Sequence, residues 1–293
     1  METNWKDILD HSIRDVDELR KNLALTEAEA QQMGRIIQRY PLCVNPYYLS
    51  LIDRDDPNDP IRKMCIPDIH EFSEGGQADT SGEADNTVIQ GMQHKYRQTA
   101  LILSTNQCAM YCRHCFRKRM VGASSDEVAR QIPAMAEYVR EHTEINNVLI
   151  SGGDAFMNAD ETIEKYLRCF TEIPTLDFIR FGTRIPVVLP QRIVQDDKLL
   201  GILETYGRKK QIIIVTQFNH PRELTPDAVQ AIKALGSVGC IVRNQTVLLK
   251  GINDHADVLA QLMNGLVSNG VIPYYIFQCR PVEGVQNQFQ VPL

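Results

Sequence analysis

Short apolar runs recur along the chain from residue 99 onward, and stretches with helical spacing separate them. The runs are TALILS (99–104), NVLISG (147–152), FIRFGT (178–183), QIIIVTQF (211–218), GCIVRNQTVLL (239–249) and VIPYYIFQ (271–278). Near-continuous apolar strands are typical of a parallel sheet that is covered on both faces. The intervening lengths allow right-handed crossovers, so we predict an incomplete α/β barrel or a doubly wound sheet.

The segments between the runs carry apolar residues at helical spacing. One stripe consists of Ile163, Tyr166, Leu167 and Phe170. In a second segment, which Gly270 is placed to end, the predicted apolar face consists of Val258, Leu259, Leu262, Met263, Leu266 and Val267. Such stripes predict helices that pack on the sheet rather than a cofactor site.

The first part of the chain has a different pattern. Residues 1 to about 72 contain helical spacing in IRDVDELRKNLAL, whereas two prolines interrupt PLCVNPYYLSLI. The segment SEGGQADTSGEADN (73–86) is acidic and rich in Gly and Ser, which predicts an exposed loop or linker. We therefore divide the chain into an N-terminal, mainly helical extension with an acidic linker (1–94) and a core barrel (95–293).

Composition narrows the classes of function. The formal net charge of −6 argues against a protein that binds nucleic acid by general phosphate neutralisation. A local basic patch is still predicted from Arg113, Arg117, Lys118 and Arg119. Eight cysteines in 293 residues do not form a disulfide framework, and the charged N-terminus is unlike a signal peptide. Because no apolar run approaches the ~20 residues of a membrane span, we expect a soluble cytoplasmic protein that does not bind a membrane.

Polar residues gather where the predicted strands end. Cys108, Cys112 and Cys115 form a C-x3-C-x2-C array after the first run. Ligands bind at the carboxyl ends of strands in α/β folds, which favours metal ligation by these cysteines. A structural zinc site needs a fourth ligand, and His114 is the one nearby candidate, strained between two cysteines. An iron–sulfur cube on three thiolates would instead leave one iron open to an outside ligand.

Other strand ends carry weaker signals. SGGD (151–154) leaves its strand through two glycines, which would let a ligand approach the backbone, although a tight turn explains it as well. Asn244 and Gln245 place amides in an apolar strand, where they need either a ligand or a buried polar network. Arg117 and Arg280 could each bind a carboxylate through two hydrogen bonds.

The cysteine array followed by SGGD resembles the radical S-adenosylmethionine (radical SAM) superfamily. From about residue 40 to the last residue the chain is similar to the lysine 2,3-aminomutase family in YPLCVNPYYLSLID, DPNDPIRK, CAMYCRHCFRKR, LISGGDA, RIPVVLPQRI, FNHP, NQTVLLKGIND and PYYIFQC. The resemblance implies a partial (β/α)6 TIM-like barrel with a [4Fe-4S] cluster on the three cysteines. It also implies that the open iron binds S-adenosylmethionine, whose cleavage gives a 5′-deoxyadenosyl radical that abstracts hydrogen from the substrate.

The same resemblance implies roles for individual residues. The implied S-adenosylmethionine contacts are His114, Ser151, Gly152, Gly153, Asp154 and Gln245. Pyridoxal phosphate activates the substrate amine in the aminomutases, and Lys95 and Tyr96 match the segment that contacts its phosphate. Arg117 matches the arginine that binds the substrate α-carboxylate. The implied partners are a small amino-acid substrate and an electron donor such as flavodoxin or ferredoxin, and a homo-oligomer is left open.

Departures from the family pattern concern the substrate and the cofactor. Arg280 stands where the lysine enzyme has an aspartate for the distal ammonium, which predicts an acidic or neutral substrate rather than lysine. Gln217 replaces a histidine of the S-adenosylmethionine site, and His255 replaces a cysteine of the family's zinc site, so zinc is unsupported. Leu293 precedes the family's lysine that tethers pyridoxal phosphate. We therefore expect either a truncated chain or weak, untethered binding of that cofactor.

Three hypotheses of function remain. The first is a radical enzyme that moves an amino group within an amino acid. The second keeps the cluster and S-adenosylmethionine but modifies a peptide or another substrate without pyridoxal phosphate. The third, remote hypothesis is a zinc-binding module that uses CRHCFRKR to bind RNA. Iron and sulfide analysis separates the third from the other two.

Overall fold

The computed structural model describes residues 4–292, which begin with a segment of short helices. These are α1 (Trp5–Asp10), α2 (Val16–Asn22), α3 (Glu27–Arg39), α4 (Pro46–Leu49) and α5 (Pro60–Cys65), followed by a 3-10 turn at Ile69–Phe72. Asp15, Thr26 and Asn45 begin three of them, because each side chain accepts a hydrogen bond from the backbone three residues on. The predicted helical and irregular character of this segment is confirmed.

One sheet of eight strands forms the centre of the molecule. The strands are β1 (Thr87–Ile89), β2 (Met92–Tyr96), β3 (Thr99–Thr105), β4 (Asn147–Gly152), β5 (Phe178–Gly182), β6 (Gln211–Thr216), β7 (Ile241–Leu248) and β8 (Ile272–Gln278). Their order in the sheet is their order in the chain. The first two pairings are antiparallel, and every pairing from β3 to β8 is parallel. Within the described residues β8 does not pair with β1, so the barrel is partial, as predicted.

Helices cover the outside of the parallel strands. They are α6 (Ile132–Glu141), α7 (Asp160–Thr171), α8 (Ile185–Val188), α9 (Gln191–Val194), α10 (Asp197–Gly207), α11 (Pro226–Ser237) and α12 (Ala256–Ser268). A last short helix, α13 (Gln286–Phe289), packs instead on the 3-10 turn at Ile69–Phe72. Alternate residues of β4 and β5 are fully buried against the covering helices, namely Val148, Ile150, Ile179 and Phe181. Because side chains alternate along a strand, the intervening residues face the barrel interior. No helix within residues 4–292 is long and apolar enough to cross a membrane.

The open side of the barrel departs from the sequence expectation. The apolar stripe of α7 is buried as predicted, but in α12 only Leu262 and Leu266 are buried, and Val267 is 62% exposed. Six of the seven residues of β8 are exposed, so the prediction that every apolar strand is covered on both faces is wrong for this one. β8 is exposed because it lies at the open edge of the sheet, where it pairs with β7 alone.

The acidic segment 73–86 is more structured than the predicted exposed linker. Gln77 forms a bridge with Val282, and its N–H donates to the carbonyl of Pro281 at 2.9 Å. Glu83 is 2% exposed and lies among arginines of the barrel. The division at residues 94 and 95 falls within β2, which pairs with β3 in the same sheet.

Candidate active site

A cavity of about 290 Å³ opens where the parallel strands end at their carboxyl ends. Every predicted site residue except Lys95 and Tyr96 lines it. These lining residues are Cys108, Cys112, His114, Cys115, Arg117, Ser151, Gly152, Gly153, Asp154, Gln245 and Arg280. The polar residues that follow the predicted strands therefore lie around one cavity, as the sequence predicted.

The three cysteines lie on a loop that the N-terminal segment holds in place. We call residues 106–122 the cysteine loop, which closes at its base where Gly122 donates to the carbonyl of Asn106 at 3.0 Å. Two of its backbone N–H groups donate to the N-terminal segment. Tyr111 donates to the carbonyl of Cys43 and Arg113 donates to the carbonyl of Met64, each at 2.8 Å. The loop conformation thus depends on residues far away in the chain.

The three cysteines offer the thiol donors that an iron–sulfur cube requires. Burial raises the pKa of Cys115 to about 11, and the neighbouring Cys112 adds to the shift. Burial likewise raises the pKa of Cys108 well above its usual value. Metal binding would displace these thiol protons. Among residues 4–292, no three His, Cys, Asp or Glu side chains converge on one metal ion. A cube, in contrast, places each thiolate on a different iron.

Arg184, which follows β5, places a positive charge against one of these cysteines. Its Nη1 donates to the sulfur of Cys112 at 2.7 Å, and its Nη2 donates to Glu223 at 2.6 Å. Glu223 is completely buried and also accepts a hydrogen bond from the hydroxyl of Tyr48 at 2.7 Å. The sequence signal was an arginine at the end of a predicted strand, but no role was predicted for it.

His114 presents an unused donor at the cavity wall. The amides of Gln217 and Asn219 each lie 3.2 Å from its Nε2, which therefore acts as the acceptor. Nδ1 then carries the proton, and it is buried without a hydrogen-bond partner. Burial holds the pKa of His114 well below its usual value, with Arg184 adding to the effect, so the ring is neutral. A ligand oxygen could accept from Nδ1.

The two glycines of SGGD are required by the cysteine loop itself. Gly152 adopts φ +118°, and a Cβ there would collide with the carbonyl oxygen of Thr105. A Cβ on Gly153 would collide with the carbonyl oxygen of Gln107. The glycines therefore let the end of β4 lie directly against the backbone that leads into the cysteine loop, and their predicted contact with S-adenosylmethionine stays a prediction.

Asp154 already accepts three hydrogen bonds. Its Oδ1 accepts from the hydroxyl of Thr183 at 2.5 Å and from the N–H of Phe156 at 3.0 Å. Its Oδ2 accepts from the N–H of Arg184 at 2.6 Å. The carboxylate thus joins the ends of β4 and β5 beside the cavity, and its predicted contact with the S-adenosylmethionine amine stays a prediction.

Comparison with known proteins places this site in a family. The sequence pattern of the radical SAM superfamily matches residues 102–263. An L-lysine 2,3-aminomutase of Clostridium subterminale is 38% identical over 293 residues, which cover 99% of this chain and 69% of that protein. A glutamate 2,3-aminomutase of Clostridioides difficile (strain 630) is 38% identical over 286 residues, 97% of this chain and 67% of that protein. The chain belongs to the lysine 2,3-aminomutase family of radical SAM proteins.

Radical SAM enzymes use a [4Fe-4S] cluster and S-adenosylmethionine. In this enzyme, the charged side chains next to the three cysteines are mostly buried. Arg117 is 4% exposed, and its Nε donates to Glu83 at 2.8 Å. Its Nη1 lies 3.4 Å from both the Ser151 hydroxyl and the Gly152 carbonyl. Burial alone would raise the pKa of Glu83, but Arg117 and Arg119 outweigh it and hold that pKa below its usual value.

The prediction of a local basic patch in CRHCFRKR is wrong. Arg113 donates to the buried Glu71 at 2.8 Å, and the ammonium of Lys118 lies 2.8 Å from the same carboxylate. Arg119 bonds Glu83 at 2.7 Å and also bonds Glu127. Because these cations are paired with carboxylates from elsewhere in the chain, they do not present a free cationic surface for RNA.

The cavity mouth carries the predicted substrate arginine. Arg280 is exposed, and its Nη1 lies 3.5 Å from the carbonyl of Thr80. Glu283, three residues farther along the chain, bonds Arg39 at 2.6 Å rather than Arg280. The two amides predicted in β7 have different surroundings. Asn244 forms hydrogen bonds with the backbone of Phe218 and is structural, whereas Gln245 lines the cavity.

Lys95 and Tyr96 lie away from the cavity. They end β2, beside the amino end of β3, whereas the cysteines follow the carboxyl end of that strand. The ammonium of Lys95 donates to the carbonyl of Ser81, and the Tyr96 side chain is 65% exposed. Their predicted contact with a cofactor phosphate stays a prediction.

Proposed function

We propose that Cys108, Cys112 and Cys115 bind a [4Fe-4S] cluster and that the enzyme moves an amino group between adjacent carbons of a small amino acid. The family supports the reaction class, and the three half-buried thiols, which line one cavity and form no disulfide, support the ligand assignment. Held by these cysteines, the cluster would supply the one electron that cleaves S-adenosylmethionine into methionine and a 5′-deoxyadenosyl radical, which would abstract a hydrogen atom from the substrate. We also propose pyridoxal phosphate as a cofactor and a flavodoxin or ferredoxin as the electron donor.

We propose that three groups of this chain, from His114, Ser151 and Gln245, orient S-adenosylmethionine. The Nδ1–H of His114 is a buried donor without a partner, and it lines the same cavity as the Ser151 hydroxyl and the Gln245 amide. Leaving such a donor unsatisfied costs about 1–3 kcal/mol, which a ligand oxygen would offset. The neutral imidazole suits this role because it donates without adding a second positive charge beside Arg184.

The observation that carries the substrate proposal is Arg280 at the cavity mouth. No carboxylate lies within 4.0 Å of its guanidinium in the described part of the chain, since Glu283 is paired with Arg39. A substrate with a distal carboxylate would supply that counter-charge, whereas the ammonium of lysine would be repelled. Because Arg280 is exposed to solvent, we expect a preference of about 1 kcal/mol, roughly fivefold, rather than the value for a buried pair.

The test is anaerobic reconstitution with iron and sulfide, followed by S-adenosylmethionine, dithionite and pyridoxal phosphate. Glutamate, glutamine, alanine and lysine are offered in parallel, and mass spectrometry measures 5′-deoxyadenosine and β-amino products. We expect β-glutamate to form faster than β-lysine. An Arg280→Glu variant should reverse that order, whereas Arg35→Glu, with the same charge change on the exposed face of α3, should not.

Two results would separate the alternatives. Formation of 5′-deoxyadenosine without rearrangement of any amino acid would favour the second hypothesis, a radical reaction on a peptide or other substrate. The exposed position of Lys95 and Tyr96, outside the cavity, is the observation that keeps that hypothesis open. Rapid turnover of lysine that Arg280→Glu leaves unchanged would refute the role of Arg280.

A further inference from the structure

Arg117 uses only part of its guanidinium for contacts within the protein. It lines the cavity, and its Nε donates to Glu83 at 2.8 Å. On its other side, Nη1 lies 3.4 Å from both the Ser151 hydroxyl and the Gly152 carbonyl, which is longer than a usual hydrogen bond of this kind. Within residues 4–292 its Nη2 forms no hydrogen bond, yet it is not sealed from solvent. The two terminal nitrogens are therefore available to a ligand in the cavity.

Arg113, on the same loop, is bound in a different way. Its Nε donates to one oxygen of Glu71 at 2.8 Å, and its Nη2 donates to the other oxygen of the same carboxylate. Its Nη1 donates to the carbonyl of Pro41 at 2.9 Å, so all three nitrogens are engaged. Arg113 is thus saturated by the protein and structural, whereas Arg117 is held at Nε and keeps one edge of its guanidinium free.

Glu83 is shared between two arginines, so Arg117 is only partly neutralised. Its Oε1 accepts from Arg117, and its Oε2 accepts from Arg119 at 2.7 Å. A second carboxylate, that of Glu127, bonds Arg119 at 2.6 Å on the far side of this group. Glu83 itself is 2% exposed and does not line the cavity. It therefore contacts Arg117 from behind the cavity wall and leaves positive charge facing the cavity.

A turn in the acidic segment fixes the position of Glu83. The carboxylate of Asp79 accepts from three backbone N–H groups of this turn, including that of Glu83 at 2.6 Å. Side-chain acceptors of this kind stabilise a turn in one conformation. The carbonyl of Thr80, in the same turn, lies 3.5 Å from Nη1 of Arg280 at the cavity mouth. Residues 79–84 therefore connect Arg280 with the carboxylate that holds the inner arginine.

We propose that Glu83 is a positioning residue for substrate recognition. By holding Nε of Arg117, it directs the terminal nitrogens into the cavity, where a carboxylate can accept two parallel hydrogen bonds. A guanidinium without this anchor is free to change rotamer, and a bound carboxylate then has to restrict it again. The inference rests on the proposed function and on the predicted contact of Arg117 with the substrate α-carboxylate, and it adds the residue that orients this contact.

The experiment measures ligand binding by anaerobic calorimetry, using protein reconstituted with cluster, S-adenosylmethionine and pyridoxal phosphate but without a reductant. The probes are glutamate, isoglutamine, in which an amide replaces the α-carboxylate, and glutamine, in which an amide replaces the distal carboxylate. The affinity ratio of glutamate to isoglutamine measures the α-carboxylate contact, and the ratio of glutamate to glutamine measures the contact with Arg280. The variants are Glu83→Gln and Glu83→Asp. Asp160→Asn is the matched control, because Asp160 also pairs with a buried arginine, Arg192, but does not line the cavity.

We expect the wild type and Asp160→Asn to bind glutamate at least about tenfold more tightly than isoglutamine, as for a charge-assisted contact. Glu83→Gln should lose most of this preference, because the amide lacks the charge and presents a donor to Arg119. Glu83→Asp, which keeps the carboxylate, should restore part of it. The ratio of glutamate to glutamine should stay unchanged in every variant. A purely structural role of Glu83 would instead lower both ratios together.

An unchanged ratio of glutamate to isoglutamine in Glu83→Gln, or an equal loss in Asp160→Asn, would overturn the role of Glu83. If the wild type still forms β-glutamate after a reductant is added, the proposed function stands and the positioning role alone fails.

No binding of the three probes to the wild type would refute the proposed substrate and the positioning role with it. If Glu83→Gln fails to fold, Arg119→Gln decides, because it frees Oε2 of Glu83 to neutralise Arg117 further. Arg119→Gln should then also weaken the preference for glutamate over isoglutamine, and an unchanged ratio would overturn the inference.

Discussion

Replacing Arg184 by glutamine should lower the reduction potential of the cluster. Arg184 donates to the sulfur of Cys112 at 2.7 Å, and Glu223 fixes the other side of its guanidinium. A cation that donates to a ligand sulfur stabilises the reduced, more negative cluster relative to the oxidised one. Glutamine removes the charge from that position.

The contact with Cys112 sets the expected shift in potential, and the contact with Glu223 sets the expected loss of stability. For a one-electron couple, a difference of about 1.4 kcal/mol between oxidation states corresponds to about 60 mV, and one charge-assisted hydrogen bond is of that order. We therefore expect the midpoint potential to fall by about 60 mV. The loss of the ion pair leaves Glu223 buried without its cation, which costs about 3 kcal/mol of unfolding free energy. Glu223 keeps hydrogen bonds from Tyr48, Asn219 and His220, so the cost should lie at the low end of the range for broken buried pairs.

The assay is a redox titration monitored by electron paramagnetic resonance on samples with equal iron and sulfide content. Arg192→Gln is the matched control, because Arg192 is also largely buried and paired with Asp160 and Asp196 but, within residues 4–292, does not contact a cysteine. It should destabilise the fold by a similar amount while leaving the potential unchanged. Arg184→Lys keeps the charge and should restore part of the potential.

The reasoning would be refuted by a fully loaded Arg184→Gln protein whose potential matches that of the wild type. An equal shift in Arg192→Gln would also refute it, since the potential would then follow stability rather than the contact with Cys112. The ordering expected from the structure is wild type, then Arg184→Lys, then Arg184→Gln, from highest to lowest potential.

Three further predictions concern the cysteine loop. Cys112→Ala should abolish S-adenosylmethionine cleavage, and a full cluster with normal 5′-deoxyadenosine formation would contradict the ligand assignment. Gly153→Ala should lower the melting temperature and the iron content because its Cβ collides with the carbonyl of Gln107, whereas Gly236→Ala, which meets open space in α11, should do neither. Glu71 and Glu83 have folded pKa values below 4.5, so their stabilisation is present above that pH and lost as the pH falls through the folded values. Glu83→Gln should flatten this acid limb in unfolding curves measured from pH 7 to pH 3.

The sequence predicted the strands well, because burial on both faces of a parallel sheet leaves a continuous apolar run. NVLISG coincides with β4, and the other runs match their strands to within two residues at either end. The pattern misled at β8 and at Val267, where the composition is equally apolar but the side chains are exposed. An apolar run indicates that a segment is suited to a buried position, but it does not show that the fold supplies neighbours there. At the open edge of the barrel, no further strand follows β8 in the sheet of the described residues.

Charge neutralisation was the part of the site that the sequence could not reveal. CRHCFRKR has four cations within eight residues, and the carboxylates that pair with them include Glu71 and Glu83. Glu83 lies in the segment 73–86, which was predicted to be exposed. Local sequence carries no signal for a partner that arrives through tertiary packing. The same limit explains why Arg184 was missed, since its contact with Cys112 joins the ends of two different strands.

These ion pairs also explain why the N-terminal segment matters to the chemistry. Cys43 and Met64 accept hydrogen bonds from the cysteine loop, and Glu71 neutralises two of its cations. The amide of Asn45 adds a hydrogen bond to the carbonyl of Ala109, between the first two cysteines. If the cysteine loop holds a cluster as proposed, it must keep its thiols fixed, yet residues 106–122 contain no helix or strand to do so. The helical segment performs that task, so it contributes to the position of the metal ligands as directly as the strand from which they emerge.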